Sequence, residues 1–153
     1  MSEVPEGVNL SVRERGAPRP TATMTLTRDG SDGVEVLLGL RSSTMRAFPN
    51  YWAFPGGGVS RVDHAAVEAL PALAGPGAAS IACIMREMSE ELGLAASDEG
   101  AVLLKSEDRN AIVDDKSKWL PLALEDAFPV DRTNIRTLSH RITPPFGLSL
   151  IHI

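Results

Sequence analysis

Three glutamates, Glu87, Glu90 and Glu91, fall at positions i, i+3 and i+4 of one short stretch. On a helix that spacing places the three carboxylates on one face within a single turn. Like charges so placed repel, at about 0.2–0.5 kcal/mol per pair. Arg86 lies four residues before Glu90 and can pair with it, but one guanidinium does not neutralise three acids. A divalent cation is the natural counter-charge, and hard carboxylate oxygens suit Mg²⁺ or Mn²⁺. A bare E-x-x-E-E pattern is also that of a solvated acidic helix face, so the helix has to be read with its surroundings.

The same stretch carries an apolar stripe. Ile81, Ile84, Met85, Met88 and Leu92 recur at helical spacing and predict a helix from about Ala78 to Leu92, buried along that side, with Gly93 as its stop. Cys83, beside the stripe, reads as a small core residue. Upstream, Phe54-Pro55-Gly56-Gly57-Gly58-Val59 follows a short strand at Tyr51–Phe54, and glycines there let backbone come close to an ion or a phosphate. A β-hairpin is expected earlier, from the β-rich TATMTLT and Val34–Leu40 around the turn cluster Arg28–Gly33. The Ala/Gly/Pro-rich segment Val59–Gly77 predicts a short helix around Asp63–Leu70, with Asp63 as N-cap. Of its acids, Asp63 and Glu68 are expected to face solvent. Ala101–Lys105 and Ala111–Val113 read as short strands, while Trp119–Leu124 and Arg141–Thr143 are ambiguous. Trp52 and Trp119 are expected in the core or a cleft wall, and His64 and His140 have no acid or thiol partner at motif spacing.

The whole-chain arithmetic agrees with a soluble, cytoplasmic protein. Its 153 residues suit one domain, and 43% hydrophobic with 23% charged residues is ordinary globular usage. One cysteine excludes an internal disulfide framework. A formal net charge of -5 argues against a nucleic-acid binder working through bulk charge, and no apolar run is long enough to span a bilayer. Residues 1–20 read as a flexible, polar, proline-rich leader.

Taken together, the glycines and Arg86-Glu87-Met88-Ser89-Glu90-Glu91-Leu92-Gly93-Leu94 resemble the signature of the Nudix hydrolases, a Gly-Gly after a strand and then R-E-(apolar)-x-E-E-x-G-(apolar) on a helix. The resemblance runs from about Thr21 to Gly147. It implies an α/β (α+β) Nudix fold, a mixed β-sheet packed with helices as an α/β/α sandwich. It further implies hydrolysis of a diphosphate linkage with Mg²⁺ or Mn²⁺ as cofactor. Carried over by position, Glu87, Glu90 and Glu91 are metal ligands with the Gly56 carbonyl, Arg86 orients a glutamate, and Arg86, Glu87 and Glu90 form the catalytic set. The partner implied is a small-molecule diphosphate, with neither nucleic acid nor membrane, and a homodimer is admitted. One departure stands out: the glutamate usual eight residues before the helix arginine is Ala78 here, and the Val59–Gly77 insert lengthens the motif.

A second stretch, Leu37–Gly57, resembles the extra motif of the coenzyme A diphosphatase branch. Arg41, Ser42, Arg46 and Phe54-Pro55-Gly56-Gly57 fall in register, with Gly39 in place of a threonine and Asn50 in place of a glycine. This implies coenzyme A or an acyl-CoA as substrate, with Arg41 and Arg46 on its phosphates. Nucleotide-sugars, dinucleotides or an oxidised nucleotide are the alternatives, and a non-catalytic Nudix-fold sensor is the alternative of another class. The ending LSLIHI (148–153) reads as a non-native tail after a domain incomplete at its C-terminus.

Overall fold

The structure is a computed structural model that describes residues 19–45 and 48–140. Arg46, the leader up to residue 18, Arg141–Thr143 and the 148–153 tail lie outside the described residues. Pro20–Arg136 packs as one unit, and the description concerns that unit.

The class is α+β, as expected, and its strands are short and paired antiparallel. β1 (Thr21–Thr23) pairs with β6 (Gly56–Gly58) in the register Thr21↔Gly58, Ala22↔Gly57, Thr23↔Gly56. β2 (Thr27–Gly30) and β3 (Gly33–Val36) form a hairpin, as do β7 (Leu94–Ser97) and β8 (Gly100–Leu103). β4 (Gly39–Leu40) pairs with β5 (Trp52–Ala53).

Three expectations change here. TATMTLT is not one hairpin arm: its first half leaves to pair with the glycines, and only Thr27 onward belongs to the hairpin. The glycines expected to end a strand are themselves a strand, paired with Thr21–Thr23, and a Cβ at Gly56 would meet the Ala22–Thr23 backbone and one at Gly57 the Glu87 carboxylate. Ala111–Val113 is not a strand but part of α3 (Ser106–Asp114). Three apolar residues do not define a period. Ile112 alone points inward, fully buried, while Glu107 and Asp108 favour the positive end of a helix. The ambiguous Trp119–Leu124 is helical, α4.

The core lies along one side of α2 (Ala78–Glu87). Ile81, Met85 and Met88 are buried as the stripe predicts, with Ile84 and Leu92 partly buried against them. Leu73, Ala66, Ile112, Trp119 and Phe128 complete this layer. Trp119 is 1% exposed and packs on Phe128 at a centroid distance of 6.2 Å. Trp52, expected in the core or a cleft wall, is instead 66% exposed.

α1 spans Arg61–Ala69, so the expected short helix exists, but its N-cap is Ser60 and not Asp63. Asp63 sits at N3 of a capping box and accepts from the Ser60 N–H at 2.7 Å and from its hydroxyl at 2.9 Å. The rest of the insert is tied down by Arg132, which donates to the carbonyls of Leu73 (2.8 Å), Ala74 (3.0 Å) and Pro76 (2.9 Å). Among the described residues no helix is long and apolar enough to cross a membrane.

Candidate active site

The expected long helix is α2 followed by a π-helical turn, Met88–Leu92, which ends at Gly93. Gly93 takes a left-handed φ of 68°, and the Arg109 side chain lies where a Cβ would stand. Of the three glutamates, Glu87 closes α2, and Glu90 and Glu91 lie on the π turn. Glu87 and Glu91 face the strand β6, and Glu90 faces Arg86. Glu87 packs over Gly57 so closely that its carboxylate occupies the place of any Cβ there. Glu91 accepts the Gly56 N–H at 3.2 Å. The structure thus brings Gly56 to the cluster, through its amide in this arrangement.

Arg86 is the hub. It is 1% exposed although charged, and its neighbours explain how that is tolerated. Its Nε donates to Asp63 Oδ1 at 2.7 Å and its Nη2 to Asp63 Oδ2 at 3.3 Å. Nη2 also meets Glu87 Oε1 at 2.8 Å, and Nη1 meets Glu90 Oε2 at 3.2 Å. Burial works against the guanidinium charge, but the hydrogen bond and charge of Asp63, with those of Glu87, more than offset it and raise the Arg86 pKa. The pairing of Arg86 with Glu90 expected from spacing is present.

Asp63 is the residue whose role the sequence reading missed. Expected to face solvent, it is 0% exposed and pairs with Arg86. It arrives from α1, across the insert, and not along the same helix. The available signal was Ser60-x-x-Asp63, a capping-box pattern that fixes where α1 begins and which way its third residue points. Glu68, by contrast, is exposed as expected.

The electrostatics mark a crowded carboxylate cluster. Burial raises the Glu91 pKa; the Gly56 amide and the Arg41 charge oppose this, while the Glu87 and Glu90 charges reinforce it. Three carboxylates gathered around one guanidinium suit an added cation, and the donors are hard oxygens. Glu87, Glu90, Glu91 and the Gly56 carbonyl therefore fit a divalent metal by chemistry. Among the described residues no three ligating side chains are gathered as a ready-made metal cage: Glu87 and Glu90 turn to Arg86, and Glu91 turns to the Gly56 amide.

Cys83 is buried as expected, with its Sγ 3.6 Å from the Gly57 carbonyl. Burial, and then the Asp63 charge, push its pKa up to about 11, so it is a neutral thiol at physiological pH and no nucleophile. Beside the cluster opens a cavity of about 330 Å³ lined by Arg41, Ser42 and Glu91 together with apolar Leu40, Met45 and Phe54. Arg41 is thus on the cavity wall, held by its backbone N–H to the Tyr51 carbonyl at 2.9 Å.

A family model described as the NUDIX domain matches residues 17–119. A search of curated proteins gave no match. Among solved structures, the chain is similar to a NUDIX hydrolase from Alicyclobacillus acidocaldarius, with 22% identity and a TM-score of 0.58 over 75% of this chain. The chain spans 57% of that structure's length, and at this identity the likeness concerns the fold.

Proposed function

The chain belongs to the NUDIX family, and from that premise we propose that it is a hydrolase of diphosphate linkages that uses Mg²⁺ or Mn²⁺. The observation that carries this reading is the cluster of Glu87, Glu90 and Glu91, two of them against β6, short of positive charge even with Arg86 among them. Glu87, Glu90, Glu91 and the Gly56 carbonyl would hold the metal. When bound, the metal polarises phosphoryl oxygens and lowers the pKa of a water. Arg86 keeps Glu87 and Glu90 oriented and is itself kept in place by Asp63, so the donors are held before any ligand arrives. The retention of all three helix glutamates favours an enzyme over a ligand sensor.

For substrate we propose coenzyme A or an acyl-CoA. The cavity beside Glu91 offers the Arg41 charge and the Ser42 hydroxyl for phosphate oxygens, and Leu40, Met45 and Phe54 for an apolar group. Arg46 is proposed to assist on the same loop, and the protein is proposed to act in the cytoplasm.

The test is a panel of coenzyme A, acyl-CoA, nucleotide-sugars and dinucleotides with Mg²⁺ or Mn²⁺, with products read by mass spectrometry. Preferential release of a 3′,5′-ADP product supports the coenzyme A assignment, and preference for another diphosphate overturns it. Glu90→Gln should abolish metal-dependent turnover and leave the far-UV circular dichroism unchanged. Retained turnover in that variant would refute the metal role.

A further inference from the structure

The π turn that carries Glu90 and Glu91 has a local cause. Ser89 lies in its first part, 1% exposed, and its Oγ stands 3.0 Å from the Met85 carbonyl and 3.1 Å from the Leu94 carbonyl. The indole Nε1 of Trp119, in α4, donates to the same oxygen at 3.1 Å. A serine hydroxyl has one hydrogen, so it donates to one of the two carbonyls at a time while accepting from the indole. Back-bonding from a serine to the carbonyl four residues earlier competes with the backbone ladder and bends or widens a helix there. Here the ladder does widen: the Gly93 N–H reaches the Met88 carbonyl five residues back as well as that of Ser89.

We infer that Ser89 and Trp119 are positioning residues. Their buried hydrogen-bond link sets the π turn, and the π turn sets the rotational placement of Glu90 and Glu91 relative to Glu87 and β6. Trp119 reaches Ser89 from α4, well outside the glutamate stretch. A helix that continued in α geometry through Ser89 would keep Glu90 one turn from Arg86 but would turn Glu91 to a different angle, away from the Gly56 contact it makes. The link ties the catalytic turn to the core, since Trp119 is buried among Phe128 and the α2 stripe. The functional consequence rests on the diphosphatase reading, while the structural one does not.

The test uses the full chain with Ser89→Ala, which removes one oxygen, and Trp119→Phe, which removes the donor and keeps a ring. Amide hydrogen exchange should speed up at Glu90–Gly93 by roughly fivefold, the equivalent of one net hydrogen bond. Exchange over Ile81–Met85 should stay unchanged. Mn²⁺ binding, followed by electron paramagnetic resonance with the metal alone, should weaken several-fold in both variants. Turnover should fall in kcat with KM for the diphosphate unchanged. Unchanged exchange at Glu90–Gly93 overturns the inference. So does faster exchange with Mn²⁺ half-saturation unaltered, which would reduce the link to general stability. If the wild-type chain neither binds Mn²⁺ nor hydrolyses diphosphates, the functional reading fails, and the exchange measurement still decides whether Ser89 and Trp119 hold the turn.

Discussion

Replacing Asp63 by alanine tests the hub of the site. Both partners of the Asp63–Arg86 pair are at most 1% exposed, and their closest atoms are 2.7 Å apart. Breaking a buried pair by removing one partner costs about 3–5 kcal/mol, because the other charge stays buried. Arg86 keeps Glu87 at 2.8 Å and Glu90 at 3.2 Å, which places this loss near the lower end, about 3 kcal/mol. Asp63 also closes the α1 capping box on Ser60, and an N-terminal capping contact is worth about 1 kcal/mol. Asp63→Ala should therefore cost about 4 kcal/mol, and Asp63→Asn, which keeps an acceptor for Ser60, about 3 kcal/mol. Losses of this size are a large part of a domain's usual 5–15 kcal/mol. Urea unfolding followed by tryptophan fluorescence is the assay, with a midpoint shift of about 2 M at an m-value near 2 kcal/mol/M. A functional effect should accompany it. Without Asp63 the guanidinium is left to Glu87 and Glu90 and competes harder with a cation, so Mn²⁺ should bind more weakly in Asp63→Asn. A loss below about 1 kcal/mol in Asp63→Ala would refute the reasoning, since it would mean that Arg86 does not need its partner.

Other expectations follow from the same geometry. Cys83, raised from 9.0 to about 11, binds its proton more tightly in the folded chain than in the unfolded one, so its contribution is intact below about pH 9 and is lost as pH rises towards 11. Alkaline unfolding of Cys83→Ala should accordingly show a shallower decline across that window, and native protein should resist a thiol reagent that labels it at once in denaturant. Arg132→Ala frees the Leu73, Ala74 and Pro76 carbonyls. Elastase should then cleave within the insert near Ala74 faster than in wild type, with the α2 core still folded, and an unchanged cleavage rate would show that the clamp is redundant. Arg41→Ala removes a charge that lowers the Glu91 pKa, so the Glu91 carboxyl titration followed by ¹³C NMR should move upward. It should also weaken coenzyme A turnover more than turnover of an unrelated dinucleotide.

Much of the site was legible because it is local. A helix maps sequence spacing onto one face, so Glu87, Glu90 and Glu91, the Arg86–Glu90 pair and the apolar stripe from Ile81 to Leu92 all follow from positions along the chain. The left-handed stop at Gly93 is local for the same reason. What proved illegible depends on partners distant in sequence. The glycines read as a strand end because β-pairing needs a second strand, and that strand, Thr21–Thr23, lies more than thirty residues earlier. Asp63 read as a surface acid because its burial is set by Arg86, which lies 23 residues further on. Trp52 and Trp119 have the same side chain and opposite fates, one exposed and one buried, since only the packing of α4 against α1 and of Trp119 on Phe128 and Ser89 distinguishes them.

The residue types and their spacing by themselves determined which groups gather as the candidate site, because carboxylates one turn apart on a helix cannot avoid one another. The tertiary structure decided how those groups are held. It brought Asp63 to Arg86 from another helix, pressed Glu87 onto a glycine strand, and widened the last turn through a serine bonded to a tryptophan 30 residues away. These are contacts between elements, and no periodicity along the chain encodes which elements meet.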